Sequence, residues 1–149
     1  MPIVYPITLT SGPVMSTPRK LFVNIMVRDL TRSMSFFSEL GFTFNKQFTD
    51  ENAACMVVSD ESYFMLLTEG FFRGFTDREP CDMSTHSEGL YGLSCESRAE
   101  VDSLVQKALA AGGSPAMPPQ DHGFMYSWSF RCPDGHHFDL FWMDPATIQ

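Results

Sequence analysis

The sequence lacks the short motifs that identify nucleotide-binding and serine-hydrolase folds. It contains no GxGxxG, no Walker-type GxxxxGK[ST] loop and no GxSxG elbow. The first two place backbone N–H groups around phosphates, and the third exposes a nucleophilic serine above a sheet. The sequence therefore gives no support to a nucleotide cofactor or to serine-hydrolase chemistry.

Positive charge is also scarce. Ten Lys and Arg residues are scattered among 18 Asp and Glu residues, which gives a net charge of -8. Nucleic acids and anionic membrane surfaces are bound by clustered basic side chains. The longest apolar run is far shorter than the roughly 20 residues that span a bilayer. We therefore expect neither nucleic-acid nor membrane partners.

Cysteines are few and widely spaced. The four of them form no CxxC pair and no cysteine–histidine spacing of a structural zinc site. The first stretch, MPIVYPITLTSGPVMSTPRK, has no basic start followed by an apolar block, so we expect no secretion signal. Cytoplasmic localisation with reduced thiols is the resulting expectation.

Apolar and aromatic residues are plentiful. Hydrophobic residues make up 44% of the 149, and they include 14 Phe and 10 Met. This is enough for the core of one structural domain, or of two small modules sharing a core. Most of these side chains are expected in that core, although Met and Phe also suit a pocket that adapts to an apolar ligand.

The first half of the chain predicts a strand, a helix and three strands. Val23, Ile25 and Val27 alternate as a β-branched row, Asp29 is a helix N-cap, and Gly41 ends the helix. Turn residues then separate three strand candidates. These span residues 42–48, 53–59 and 63–68.

The second half repeats this order. A strand over 90–96 leads into the capping box Ser97-Arg98-Ala99-Glu100, and Gly112-Gly113 ends the helix. Strands follow at 114–117, 122–132 and 136–143. The repetition predicts an α+β fold of two βαβββ modules. The expected divisions are a loose extension over 1–19, a first module over 20–69, a linker loop over 70–88 and a second module over 89–145.

Two phrases carry a resemblance to a known family. VRDLTRSMSFFSELGF resembles the first-module signature of the vicinal oxygen chelate superfamily, which contains glyoxalase I, bleomycin-resistance proteins, extradiol dioxygenases and fosfomycin-modifying enzymes. AAGG followed by CPDGHHFDLFW resembles its second-module ending. The phrases FVNIMVRDL, FTDENAACMV and PPQDHGFMY are most similar to a bacterial branch described as predicted lactoylglutathione lyases. The resemblance covers residues 20–145 and implies curved, cup-like mixed sheets with outer helices, a ligand groove between modules, and a homodimer.

The same resemblance implies a test for a metal site. Metal-binding members carry His, Gln or Glu at positions that correspond here to Phe22, Met65, Leu90 and Asp139, so one of four remains. His137 adds a second donor at most, because alternate residues of a strand stand about 7 Å apart. An open catalytic site needs about three protein ligands. We therefore expect no metal and no other cofactor.

The period of two then sorts the remaining candidates into groove and core. His136 is expected on the opposite face from His137 or in the turn. Asp139 is either a general base in apolar surroundings or a carboxylate tied to a histidine or backbone amide. His122 is either a ligand contact or a surface-loop residue, and the pattern does not decide which face Tyr126 and Trp128 occupy. The predicted ligand-binding residues are Phe22, Asn24, Met65, Leu90, His122, Tyr126, Trp128 and His137.

Two functions fit these patterns. The first is a metal-free, bleomycin-resistance-like protein that binds a small apolar or aromatic molecule in the groove between modules. The second is a metal-dependent glyoxalase-like lyase or another vicinal oxygen chelate enzyme, with Asp139 as its weak catalytic candidate. The sequence decides neither the ligand, nor whether catalysis occurs, nor whether modules pair within or between chains.

Overall fold

The computed structural model describes residues 19–147, and its two halves repeat one order of elements. The predicted extension over 1–19 lies outside the described residues except for its last position. The first half contains β1 (Leu21–Val27), α1 (Leu30–Glu39), β2 (Thr43–Asn45), β3 (Ala53–Val57), β4 (Ser62–Thr68) and α2 (Glu69–Phe72). The second contains β5 (Leu90–Ser94), α3 (Arg98–Ala110), β6 (Ser114–Pro115), β7 (Gln120–Asp121), β8 (Met125–Arg131) and β9 (His137–Met143). This confirms the predicted α+β class.

The first compact unit comprises residues up to Met34 together with 42–79. Its sheet has the strand order β1-β4-β3-β2, with β1 and β4 parallel and the other pairs antiparallel. One face buries Ile25, Val27, Met56 and Leu66, each at most 1% exposed. Asp29 caps α1 as predicted, since its Oδ1 accepts from the Arg32 N–H at 3.0 Å.

Two predictions for the first half need correction. The strand expected over 42–48 stops at Asn45, whose side chain accepts from the Gln47 N–H and starts a 3-10 turn over Lys46–Phe48. The expected linker loop is not irregular throughout, because it begins within α2 and continues as a 3-10 turn over Arg73–Phe75. Short helical turns of this kind have no long apolar period, so the pattern of the sequence does not reveal them.

The second compact unit comprises residues 80 onward together with Ser35–Gly41 of the α1 region. Its sheet has the order β5-β9-β8-β6, and β7 pairs with β8. The second half of α1 packs on one face of this sheet, with the Phe36 and Phe130 ring centroids 5.9 Å apart and those of Phe37 and Phe138 5.3 Å apart. Helix α3 packs on the same face and buries Val101 there.

The strand predicted over 122–132 is confirmed from Met125 to Arg131 as β8, while residues 122–124 form the turn of a hairpin that joins it to β7. Gly123 has φ +80°, in the left-handed region, and it reverses the chain between β7 and β8. No helix in the described part of the chain is long and apolar enough to cross a membrane.

Candidate functional site

The first sheet has a second buried face, opposite the one that carries Ile25, Met56 and Leu66. We call it the filled face. Met65 is 1% exposed, Tyr63 is 8% exposed, and Ala53, Cys55 and Leu67 are buried beside them. Phe22 stacks on Tyr63, with ring centroids 5.0 Å apart and planes 10° apart.

Aromatic side chains from the same unit cover the filled face. Phe71 and Phe72 of α2 and Phe48 of the 3-10 turn pack against its buried cluster. Phe75 follows and meets Phe71 edge to face at 5.0 Å. The predicted positions Phe22 and Met65 therefore lie in a packed aromatic cluster.

Asn24 belongs to the same strand row as Phe22. It pairs in register with Met65, and its Nδ2 donates to the Phe22 carbonyl at 3.5 Å. Its amide is thus held close to the backbone at the edge strand of the sheet.

The corresponding face of the second sheet is different, and we call it the open face. It is the face that the helices do not cover. Alternate residues of β5 and β9 lie on it, with two serines of β8 beside them. Its residues are Leu90, Gly92, Ser94, Ser127, Ser129, His137, Asp139 and Phe141. Leu90 is 67% exposed, and the Phe141 ring lies 3.5 Å from where a Cβ on Gly92 would be.

Polar side chains lie on the same face as Leu90 and Phe141. Asp139 is half-buried, pairs in register with Gly92 on one side and Ser129 on the other, and lies between the two other β9 residues of the face. Ser129 is buried, and its Oγ accepts from the Met117 N–H at 2.9 Å. That bond holds the segment between β6 and β7 at the edge of the sheet, where Met117 is 54% exposed. The open face thus combines apolar contact area with a carboxylate and hydroxyls.

Tyr126 and Trp128 lie on the helix side of the second sheet, which answers the question that their alternation left open. The Tyr126 hydroxyl donates to the Asp102 carboxylate of α3 at 2.6 Å. That hydrogen bond, with burial and the carboxylate charge, raises the pKa of Tyr126 to about 12. Trp128 pairs in register with the buried Leu140. Both residues therefore lie away from the open face.

His122 lies at the tip of the β7–β8 hairpin. Its backbone N–H donates to the Met125 carbonyl at 2.8 Å. Its ring centroid lies 6.4 Å from that of Phe124, which is 50% exposed. The salt bridge from Arg98 to Asp121 at 2.6 Å ties this hairpin to α3. His122 is thus a surface-turn residue held on a braced hairpin.

The two histidines of the DGHH stretch have different surroundings. His137 lies on the open face and is 6% exposed. His136 is 1% exposed, and its Nδ1 lies 2.7 Å from Glu88 Oε1. The same Glu88 oxygen accepts from the Tyr91 hydroxyl at 2.7 Å. Burial alone would raise the pKa of Glu88, but the contacts with His136 and Tyr91 outweigh it and lower that pKa.

Comparison with known proteins agrees with this architecture. Residues 19–59 match the family model of the bleomycin resistance protein-like N-terminal region. The hypothetical protein SA1046 from S. aureus has a similar structure, with a TM-score of 0.70 and 25% identity over 87% of this chain and 94% of that one. A glyoxalase/bleomycin resistance protein/dioxygenase family enzyme from Burkholderia phytofirmans has a TM-score of 0.68 and 18% identity over 82% and 96%. The chain thus has the fold of glyoxalase/bleomycin resistance proteins, and part of its first module also matches one of their family models in sequence.

A further solved structure extends the likeness in fold alone. A lactoylglutathione lyase from Agrobacterium tumefaciens has a TM-score of 0.63 and 14% identity over 91% of this chain and all of that one. No curated protein matches the sequence. The superfamily resemblance is thus confirmed, while the branch of predicted lactoylglutathione lyases stays a prediction.

The donor set of this chain does not fit the metal that the resemblance to the vicinal oxygen chelate superfamily implies. Phe22 and Met65 lie within the aromatic cluster of the filled face, and Leu90 is an exposed aliphatic side chain. Within residues 19–147 no group of three or more His, Cys, Asp or Glu side chains is placed to hold an ion. Among the four expected metal positions, all within the described residues, Asp139 alone carries a donor side chain, fewer than the roughly three ligands of an open site.

The pattern of the sequence does not reveal two features of this chain. Phe71 and Phe72 were assigned to a linker, although two adjacent phenylalanines in a polar segment are a signal of burial. Glu88 was not singled out, and its partner His136 lies 48 positions away in the numbering. Nothing in the local pattern joins those two residues.

Proposed function

We propose that this chain binds a small, largely apolar or aromatic molecule on the open face of its second sheet, without a metal. The observation that carries the proposal is that the exposed Leu90 and the half-buried Phe141 lie on one face of the sheet, with Asp139 on the same face between their register positions. The filled face of the first sheet offers no such surface, because the chain's own aromatic side chains cover it.

The apolar part of the open face supplies the affinity. Full burial of a Leu side chain stabilises a complex by roughly 1.5–3 kcal/mol, and Leu90 has most of its surface still to bury. The Phe141 ring packs over Gly92, close to the space that a side chain at position 92 would occupy. Aromatic rings stack on planar ligands at low entropic cost. A planar or amphipathic molecule therefore fits this face best.

The polar part supplies orientation. Asp139 accepts hydrogen bonds and attracts a cationic or donor group of the ligand, and Ser127 can donate or accept from the next strand. Small-molecule sites usually combine an apolar lining with a few placed polar groups. We therefore propose ligands with an apolar body and an amine or hydroxyl group.

A ligand screen by thermal shift tests the proposal directly. The chain is treated with a chelator, and planar, amphipathic and cationic compounds are added one at a time. We expect at least one compound to raise Tm, and Leu90→Ala to weaken its binding about tenfold, which corresponds to ~1.4 kcal/mol. Leu21→Ala is the matched control, since Leu21 is 59% exposed on the first sheet. A panel without any stabilising compound, or equal weakening by Leu21→Ala, would reject the proposal.

Metal analysis separates this function from the lyase alternative. We expect chelator-free protein to bind no stoichiometric Zn, Ni, Fe or Mn, and Asp139→Ala to leave the metal content unchanged. Stoichiometric metal that disappears in Asp139→Ala, together with turnover of the methylglyoxal–glutathione hemithioacetal, would establish the enzyme instead. The homodimer implied by the superfamily is part of the same proposal, and light scattering of the full chain tests it.

A further inference from the structure

A polar cavity of about 440 Å³ lies at the end of the second sheet, beside the segment that precedes β5. Hydroxyl groups line most of it, together with one imidazole and one guanidinium. These groups belong to Ser84, Thr85, Ser87, Ser114, His86 and Arg131. The cavity has the size of a small-molecule site, and it lies within one compact unit.

The lining of this cavity contains no carboxylate, although the chain as a whole carries a net charge of -8. Arg131 is its fixed positive charge. Its Nη1 donates to the Pro115 carbonyl at 3.0 Å, which uses one of the five N–H donors of a guanidinium. Hydrogen-bond donors that surround one fixed guanidinium favour an anionic ligand.

Hydrogen bonds within the segment before β5 fix the directions of these donors. The Asp82 carboxylate accepts from the Ser84 N–H at 3.0 Å and from the Ser84 hydroxyl at 2.6 Å. The backbone N–H of His86 donates to the backbone carbonyl of Asp82 at 2.9 Å. The Nδ1 of the His86 imidazole lies 2.7 Å from Thr85 Oγ1. Asp82 thereby satisfies the Ser84 hydroxyl, and in the tautomer in which Thr85 Oγ1 donates to Nδ1, the His86 Nε2 is an N–H donor.

Two contacts fasten this segment to the turn before β9. Met83 is 7% exposed, and a Cβ on Gly135 would lie 2.8 Å from its carbonyl oxygen. Gly135 also has φ +94°, so this position favours glycine twice over. Four residues further on from Ser84, Glu88 meets the buried His136. The wall of the cavity is therefore preorganised, which lowers the entropic cost of binding.

We propose that this cavity binds a small oxyanion, a phosphate or carboxylate group, with Arg131 as the charge that holds it and His86, Ser87 and Ser114 as supporting donors. Arg131 pairs in register with His137, so the cavity adjoins the end of the open face. The two sites differ in chemistry, since one offers apolar surface and the other offers charge and hydroxyl donors.

Titration of the full chain with inorganic phosphate, and separately with acetate, tests this site. Ionic strength is matched with sodium chloride, and backbone amide shifts are followed by NMR. We expect saturable shifts at residues 84–87 and 131 with at least one of the two anions. Saturation by phosphate alone identifies a tetrahedral dianion as the ligand class, and saturation by acetate alone identifies a carboxylate.

Arg131→Gln should weaken that binding about tenfold or more, because a charged donor is lost. Arg78→Gln is the matched control, since Arg78 is exposed and lies outside the cavity lining. Ser87→Ala, an exposed position, gives a second variant if Arg131→Gln does not fold, and it should weaken binding a few-fold. Absence of saturable shifts at 84–87 with both anions, or equal affinity in Arg131→Gln and wild type, would overturn the site. An apolar ligand on the open face is measured independently through Leu90→Ala, so either proposal can fail without the other.

Discussion

The filled face of the first sheet and the open face of the second occupy equivalent places in two copies of one βαβββ pattern. Phe22 and Leu90 lie at or next to the first residue of the corresponding edge strands, and Met65 and Asp139 lie on the neighbouring parallel strands. Yet Phe22 stacks on the buried Tyr63 of an aromatic cluster, while Leu90 is 67% exposed. Equivalent positions of a duplicated fold have thus come to serve a core in one copy and an accessible surface in the other.

The residues after each last strand explain the difference. The chain leaves β4 as TEGFFRGF, and Phe71 and Phe72 turn back onto the sheet. It leaves β9 as DPAT, which contains no large apolar side chain. Because two phenylalanines can bury several hundred Å² together, a difference of a few residues decides whether a sheet face is core or surface.

The largest expected effect is a contrast in stability between the two faces. Met65→Ala should lower the free energy of unfolding by roughly 2–5 kcal/mol, because it leaves a cavity in a packed cluster. Leu90→Ala should change it by no more than about 0.5 kcal/mol, since that side chain is mostly exposed. Urea unfolding of both variants measures the contrast. Similar losses in the two variants would mean that the faces do not differ as described.

A second prediction concerns the polar contact that fastens the second unit. In a double-mutant cycle, Glu88→Gln and His136→Asn should show a coupling of roughly 1 kcal/mol at neutral pH, because the side chains meet at 2.7 Å. Denaturant unfolding of the two single variants and the double variant gives this quantity. Additive losses would show that the contact contributes nothing to folding.

The same carboxylate predicts a pH dependence with a definite sign. The pKa of Glu88 is lower in the folded chain than its ordinary value of 4.5. The contribution of the Glu88 carboxylate to the free energy of unfolding is therefore fully present above pH 4.5. It is lost as the pH falls through the pKa of Glu88 in the folded chain. The stability difference between wild type and Glu88→Gln should shrink on acidification below pH 4.5, and a constant difference would refute it.

The smallest effect tests which face Tyr126 occupies. Tyr126→Phe removes the hydrogen bond to Asp102 and should lower stability by ~1 kcal/mol. It should leave ligand affinity on the open face unchanged, because Tyr126 lies on the helix side. Urea unfolding of this variant measures the first expectation, and isothermal titration with a compound from the screen measures the second. A tenfold loss of affinity would move Tyr126 into the binding site.

Elements with a strong local signal were predictable from the sequence. The β-branched row of β1, the Asp29 cap, the Ser97 cap and the two-fold repetition all correspond to observed structure. These features depend on neighbours within a few positions, which a periodicity reveals. The β7–β8 hairpin was missed because Gly123 interrupts an otherwise strand-like run.

The candidate site was less predictable, because its properties arise from distant segments. Alternation placed Asp139 and His137 together on one face, but it could not show that Phe71 and Phe72 cover the other sheet. It also could not show that His136 meets Glu88 across the turn before β9. Covering and pairing of this kind depend on tertiary contacts that leave no period in the sequence.

NMR mapping of a bound apolar compound tests the central claim most directly. The compound that raises Tm most is added to chelator-treated protein, and side-chain resonances of both faces are followed. We predict saturable shifts at Leu90 and Phe141, with Met65 and Phe22 unchanged. Shifts confined to Met65 and Phe22, or binding that appears only after a divalent metal is added, would contradict the proposal that the open face is a metal-free binding site.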